Sequence, residues 1–279
     1  MTSQFASNDP ISVFAADLFK GRTVLVTGGG RGIGREIALA FARLGADCVI
    51  ASRNPENLEP TAKEIEDLGR RCLAVPTNIR DPESVDNLVN SALAEMGKID
   101  FLINNAGGQF PANPLDISDN GWRAVIDLNL NGTWNMTSRV GKHMVANKFG
   151  AIVNIVHIYS YGRGAPDFPH SGAARAGVVN LAKSLAFHWA GHNVTINCVA
   201  PGTIDTAGVH EEEFAASDKE DYEQLAIDAI PAKRLGQADE TAALCLFLCS
   251  PAARYINGAD LVVDGGNYLA SWVPIIDPA

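Results

Sequence analysis

Basic side chains are in short supply: Lys plus Arg total 22 against 32 Asp plus Glu, a net charge of -10. That sign excludes counterion-release binding to nucleic acid as the general mode of action. No run approaches the roughly 20 uninterrupted apolar residues of a membrane-spanning helix. Met1 to Lys20 has no basic stretch ahead of an apolar one, so neither a membrane nor a secretory address is expected and the cytoplasm is the default. Cysteine is scarce and odd in number, 5 in all, each within an apolar run such as Cys48-Val49-Ile50 or Leu244-Cys245-Leu246. Buried free thiols in a reducing compartment explain this better than disulfides. Cys245 and Cys249 share a helix face, yet no His or acidic cluster joins them, so no metal site is expected. Internal repeats and low-complexity linkers are also lacking, and 47% hydrophobic with 19% charged residues is a globular composition.

Short apolar runs alternate with longer amphipathic ones along all 279 residues. Seven runs read as strands: Thr23–Thr27, Asp47–Ala51, Cys72–Val75, Phe101–Ile103, Ala151–Ile155, Thr195–Val199 and Leu261–Val263. Helix-period segments lie between them. Four of these, Ile33–Leu44, Pro55–Leu68, Pro82–Met96 and Val178–Ala190, are predicted to stop at C-cap glycines Gly45, Gly69, Gly97 and Gly191. Uniformly apolar strands separated by helices require a parallel sheet covered on both faces. The expected fold is therefore α/β, a single doubly wound Rossmann domain over residues 1–279 with a seven-stranded parallel sheet. Gly202 to Pro231 is the least regular stretch and is expected to act as a substrate lid.

Directly after the first strand stands Thr27-Gly28-Gly29-Gly30-Arg31-Gly32-Ile33-Gly34, which opens a helix. Glycines there let backbone approach a pyrophosphate, and the helix N-terminus offers free N–H groups and a positive dipole end. The spacing Gly28-x-x-x-Gly32-x-Gly34 differs from the general Gly-x-Gly-x-x-Gly fingerprint. At the end of the second strand an NAD site would carry an acid, whereas this chain has Ser52-Arg53. Arg53, with Arg31, is suited to a ribose 2′-phosphate through charge-assisted hydrogen bonds, so NADP(H) is the expected cofactor.

These residues, with Asn104-Asn105-Ala106-Gly107, Asn129 and Pro201-Gly202-Thr203-Ile204, resemble the short-chain dehydrogenase/reductase family from about Leu18 to Gly266. The resemblance implies that Asn78 and Ile79 flank the adenine, that Asn105, Ala106 and Gly107 line the cofactor, and that Pro201, Gly202 and Ile204 close over the nicotinamide. It also implies a homotetramer, to which the apolar tail Leu269–Ile276 with Trp272 would contribute. The family's usual acid is a Tyr, followed four residues later by a Lys and preceded by a Ser. Aligned on Ala176-Gly177-Val178, this chain has Ser171 and Arg175 in the Tyr and Lys positions, and the Ser position falls near His157. A serine hydroxyl lacks a phenol's acidity and an arginine does not release its proton, so carbonyl reduction by the usual pair is not expected.

The same departure resembles the branch of NADPH-dependent peroxisomal trans-2-enoyl-CoA and 2,4-dienoyl-CoA reductases. It implies reduction of a C=C bond in an enoyl-CoA or dienoyl-CoA thioester. Tyr159 or Ser171 would donate a hydrogen bond to the thioester oxygen, with Gln109 and Phe110 against the substrate. Tyr159, or a water held by Asn129, would supply the proton, and Arg175 would hold the nicotinamide ribose. Tyr161, His157 and His170 are alternative acids. The acids Glu211-Glu212-Glu213, Asp218, Glu220, Asp221 and Glu223 would repel a phosphate-rich carrier if they faced inward. That favours a second reading, an NADP-dependent carbonyl or alcohol oxidoreductase with a different acid; a third, an NADP-binding protein without catalysis, follows from an intact glycine loop beside a missing Tyr and Lys.

Overall fold

Thr23–Thr27 (β1) is buried at all five positions, which a strand reaches only where helices cover both faces of its sheet. The computed structural model describes residues 9–160, 162–217 and 221–270. Within these, β1, Asp47–Ser52 (β2), Cys72–Pro76 (β3), Phe101–Asn104 (β4), Gly150–Ile155 (β5), Val194–Pro201 (β6) and Asp260–Val263 (β7) form one parallel sheet in the order β3-β2-β1-β4-β5-β6-β7. All seven predicted strands are present. Tyr161, Asp218, Lys219, Glu220 and the tail beyond Ala270 lie outside the described residues.

Alternation along β1 divides the core. Val24 and Val26 pack in the layer formed with Gly32–Arg43 (α1), Pro55–Asp67 (α2) and Ala238–Cys249 (α8). Leu25 faces the opposite layer, built with Pro82–Met96 (α3), Gly132–Asn147 (α5) and Pro169–Trp189 (α6). Cys48, Cys198, Cys245 and Cys249 are buried free thiols, as composition implies, and among the described residues no metal-binding group forms.

The predicted stops at Gly45, Gly69 and Gly97 hold, with φ of 96°, 75° and 79°. Gly191 is not a cap: a 3₁₀ turn continues α6 over Ala190–His192 and Asn193 takes the left-handed conformation at φ 56°. The larger correction is the start of α6, which begins at Pro169, nine residues before the predicted Val178. Proline is pre-organised for a first helical turn. His170, Ser171 and Arg175 are consequently held on a helix, with His170 and Ser171 in its first turn. The expected lid is also more regular than its sequence suggests, with a π-helical turn at Val209–Phe214 and a helix at Tyr222–Ala229 (α7). Strand order reverses between β1 and β4, which opens a crevice at the carboxyl ends of the strands.

Candidate active site

That crevice is a cleft of about 350 Å³ whose lining includes Gly28, Arg31, Gly32, Ile33, Ser52, Arg53, Asn78, Ile79, Asn105, Ala106 and Gly107. Eleven of the cofactor residues expected from sequence therefore meet in one place. The glycines are required by close approach: a Cβ on Gly30 would lie 2.4 Å from the Asn57 carbonyl oxygen, and one on Gly34 would lie 2.3 Å from the Gly28 carbonyl oxygen. Gly34 supports the cradle from beneath and does not line it. A narrow backbone turn at a helix N-terminus, in a cleft also lined by Arg31 and Arg53, fits the phosphates of a nicotinamide dinucleotide. Sequence reasoning missed Asn54, Asn57 and Thr77, which line the cleft beside Arg53 and Asn78 in sequence, and Thr206, Ala207 and Gly208, which arrive from beyond β6.

A second cavity of about 190 Å³ adjoins the first, sharing Ile33 and Thr206, and holds Gln109, His157, Tyr159, Phe168, Pro201, Gly202, Ile204, Phe214 and Tyr222 in its lining. Pro201, Gly202 and Ile204 thus stand at the junction where a nicotinamide would end. Tyr159 is buried to 8% exposure. Its backbone N–H donates to His157 Nδ1 at 3.2 Å, and the His157 N–H donates to Ser160 Oγ, a tight turn after β5 that holds Tyr159 in the cavity lining. Burial pushes the Tyr159 hydroxyl up to about 12, with Arg163 lowering it and Asp264 raising it. The phenol therefore stays protonated at neutral pH, ready to donate.

The histidines do not compete for that role. Burial, then the Arg175 charge, pushes His157 down to about 3. His170 is fully buried, its Nδ1 accepts from the Ser171 N–H, and burial lowers its pKa. Burial holds both below the ordinary imidazole value, so neither is favoured as the imidazolium that a general acid near neutral pH would need.

The other expected residues take supporting positions. Ser171 is 1% exposed and does not line the reaction cavity. Asn129 lies in a π-helical turn, Asp127–Asn131; its Nδ2 donates to the Gly108 carbonyl at 2.8 Å and its Oδ1 accepts from the Gly108 N–H at 3.1 Å. It clamps the loop that carries Gln109. Arg175 Nη1 donates to the Ile155 carbonyl, and burial pushes its pKa down to about 10, still cationic at neutral pH. Its guanidinium abuts Gly107, where a Cβ would come within 2.0 Å of Nη2. Phe110 stays 40% exposed with its ring edge-on to His170 at 4.5 Å, outside the reaction cavity. Sequence placed Gln109 and Phe110 together; the structure separates them.

Over this cavity the lid is tied down by His210. Its Nε2 lies 2.9 Å from Asp205 Oδ1, and its Nδ1 lies 3.5 Å from Glu223 Oε2 on α7. The hydrogen bond to Asp205 raises its pKa above the ordinary 6.5, with Glu223 adding to the effect. A raised folded-state value means the ionic clamp is complete below 6.5 and is lost as pH rises through the raised value. Proteolytic nicking between residues 209 and 214 is expected to accelerate from about pH 6 to about pH 8 in the wild type relative to His210→Gln. A constant ratio between the two proteins would sink this account. The acids Glu211, Asp221 and Glu223 are exposed and none lines the reaction cavity, so the described lid carboxylates face water.

Residues 28–267 match a family model described as Enoyl-(Acyl carrier protein) reductase. The chain is 37% identical over 260 residues to the peroxisomal 2,4-dienoyl-CoA reductase [(3E)-enoyl-CoA-producing] of Mus musculus, covering 92% of this chain and 87% of that protein. The Danio rerio protein of the same name is 35% identical over 267 residues, covering 93% and 85% respectively. Among solved structures, the citronellol catabolism dehydrogenase of Pseudomonas aeruginosa PAO1 superposes with a TM-score of 0.80 at 36% identity, covering 92% of this chain and 98% of that one. A short chain dehydrogenase from Bacillus anthracis gives 0.82 at 35%, covering 91% and 100%. A doubly wound sheet, a glycine cradle at its switch point and these relatives together establish that the chain is an oxidoreductase of the short-chain dehydrogenase/reductase family, whose fold binds a nicotinamide cofactor.

Proposed function

We propose that the protein is an NADPH-dependent reductase of the C=C bond in a 2-enoyl-CoA or 2,4-dienoyl-CoA thioester. The observation that carries this reading is the exchange of acids: Ser171, in the position of the family's tyrosine, is buried away from the reaction cavity, while Tyr159 lines it. The names of the mouse and zebrafish relatives support the same substrate class. NADPH, when bound, supplies the hydride. Hydride arrival at the far end of the conjugated system moves an electron pair toward the thioester carbonyl, so a donor aimed at that oxygen stabilises the enolate. Tyr159 donates that hydrogen bond, and its proton reaches carbon as the enolate collapses. Gln109 orients the substrate from the loop held by Asn129, and Arg175 holds the Gly107 turn while keeping a positive charge beneath the site. Trp122 on the Asp119–Ile126 helix (α4) and Trp134 on α5 remain 42% and 46% exposed, which supports burial against other copies in the proposed homotetramer. The same reading takes the enzyme to be cytoplasmic.

The test is NADPH consumption with 2,4-dienoyl-CoA and trans-2-enoyl-CoA beside 3-ketoacyl-CoA esters and simple ketones. Turnover confined to the unsaturated thioesters is expected; turnover confined to carbonyl compounds overturns the reading. Cofactor choice is tested separately by Arg53→Asp. Losing charge-assisted bonds to a 2′-phosphate should weaken NADPH binding by about 10- to 100-fold and narrow the gap to NADH. Unchanged NADPH affinity in titration calorimetry would remove Arg53 from the site.

A further inference from the structure

We propose that Arg163, four residues after Tyr159, is the positioning residue that sets the place and acidity of the Tyr159 phenol by locking its loop to the Tyr268–Ala270 segment. The proposal rests on Tyr159 being the proton donor. The spacing Tyr159-x-x-x-Arg163 reproduces, twelve residues upstream, the interval that separates Ser171 from Arg175. The geometry is independent of that spacing. The Arg163 guanidinium carbon lies 5.6 Å from the Tyr159 ring centroid and 5.8 Å from that of Tyr268, so one cation serves two rings. Its Nη1 donates to the Tyr268 carbonyl and, at 2.7 Å, to the Ala270 carbonyl. The neighbouring Gly162, at φ 73°, allows the same approach: a Cβ there would lie 2.2 Å from the Tyr268 hydroxyl oxygen. Two consecutive loop residues therefore interlock with the chain that follows β7.

Charge gives the contact a chemical consequence. Arg175, the cation in the family position, is turned to the Ile155 carbonyl and the Gly107 turn. Arg163 is the cation whose field favours ionisation of Tyr159, and Asp264 opposes it. Asp264 also accepts from the Gly266 and Tyr268 N–H groups, which fixes where the Tyr268 carbonyl stands. Among the described residues, the remaining titratable groups around the phenol are His157 on its own turn, at 4.9 Å between rings, Tyr268 after β7 and Tyr222 of α7 across the cavity. His157 is neutral at pH 7, so the cation set against Asp264 comes from the loop itself.

The test is a double-mutant cycle on the full chain with NADPH and whichever substrate the wild type reduces. Arg163→Met is expected to lower kcat about tenfold, a part of the roughly 10²- to 10⁴-fold that a positioned acid contributes, with KM for NADPH unchanged because Arg163 lies outside the cofactor cleft. Arg163→Lys, which keeps the charge but not the two-carbonyl fork, should recover part of the loss. In the Tyr159→Phe background Arg163→Met should have a much smaller further effect on kcat, since the hydroxyl whose proton the cation acts on is gone while the ring and loop contacts remain. A readout that needs no turnover is the ¹³Cζ resonance of Tyr159 in tyrosine-labelled holoenzyme. It should move in Arg163→Met and return toward its place in Arg163→Lys. Equal losses in both backgrounds, or an unmoved resonance, would overturn the proposal. Failure of the thioester reading shows differently, as absence of thioester turnover by the wild type while the resonance still responds to Arg163.

Discussion

Tyr159→Phe is expected to reduce kcat by about 10²- to 10⁴-fold, the contribution of a positioned general acid, and to leave NADPH affinity where it was. The change removes one oxygen from a side chain that is 8% exposed and lines the reaction cavity, so its volume and packing are conserved. Ser171→Ala serves as the control on the same assay. Ser171 is buried on α6 outside that cavity, and its loss should alter kcat far less. Should the order be reversed, with Ser171→Ala the more damaging, the acid would belong to the family position after all, and the cavity lined by Tyr159 would have a binding role only. Measuring kcat and KM separately matters here, because a group that acts only in the transition state lowers kcat without weakening substrate binding.

Gly34→Ala should be the most disruptive single-methyl change in the cofactor cradle. The added carbon would lie 2.3 Å from the Gly28 carbonyl oxygen and 2.4 Å from Asn105 Nδ2. Asn105 Nδ2 donates to the Thr27 carbonyl at 3.0 Å and so ties the turn after β1 to the end of β4. Neither neighbour is the free end of a flexible chain, so the turn must open or α1 must shift, at a cost of about 1–3 kcal/mol. For a domain of this size each kcal/mol lowers Tm by about 2–4 °C. NADPH affinity should fall with it, because the same glycine turn makes the cradle. Gly191→Ala, where a Cβ would meet nothing within 4 Å, is the matched control and should be close to neutral. If Gly34→Ala melts and binds like the wild type, the close approach of α1 to the turn is not what holds the cradle.

How much of this was legible in the sequence depended on whether a signal was local. The cofactor cleft was legible because its residues stand at strand ends and its glycines fall in one run, Gly28 to Gly34, between a strand and a helix. The first half of α6 was not. From Pro169 to Gly177 it carries Gly172, Ala173, Ala174 and Ala176, residues too small to print an apolar period of 3.6, and its placement comes from packing against β6. That hid the helical setting of Ser171 and the separation of Phe110 from Gln109. Gly191 misled in the opposite sense: glycine after a helix suggests a cap, but the left-handed residue is Asn193, which tolerates that conformation through its short polar side chain. The clamp formed by Asn129 was not legible, since sequence carries no sign that both ends of its amide are engaged by Gly108. The link between Arg163 and Tyr268 spans 105 positions, beyond any local pattern.

The strand order has a consequence for synthesis. β1 lies between β2 and β4, so the glycine turn, Arg53, Asn78 and the Asn105–Gly107 turn are all translated within the first 107 residues. Most of the nucleotide cradle leaves the ribosome while β5, β6 and β7 are still unmade. The Tyr159 loop emerges later, and the carbonyls that hold Arg163 come from Tyr268 and Ala270, 105 and 107 residues beyond it. On the proposed roles, most of the residues that would hold the cofactor are thus made well before the segment that fixes Arg163 behind the proton donor.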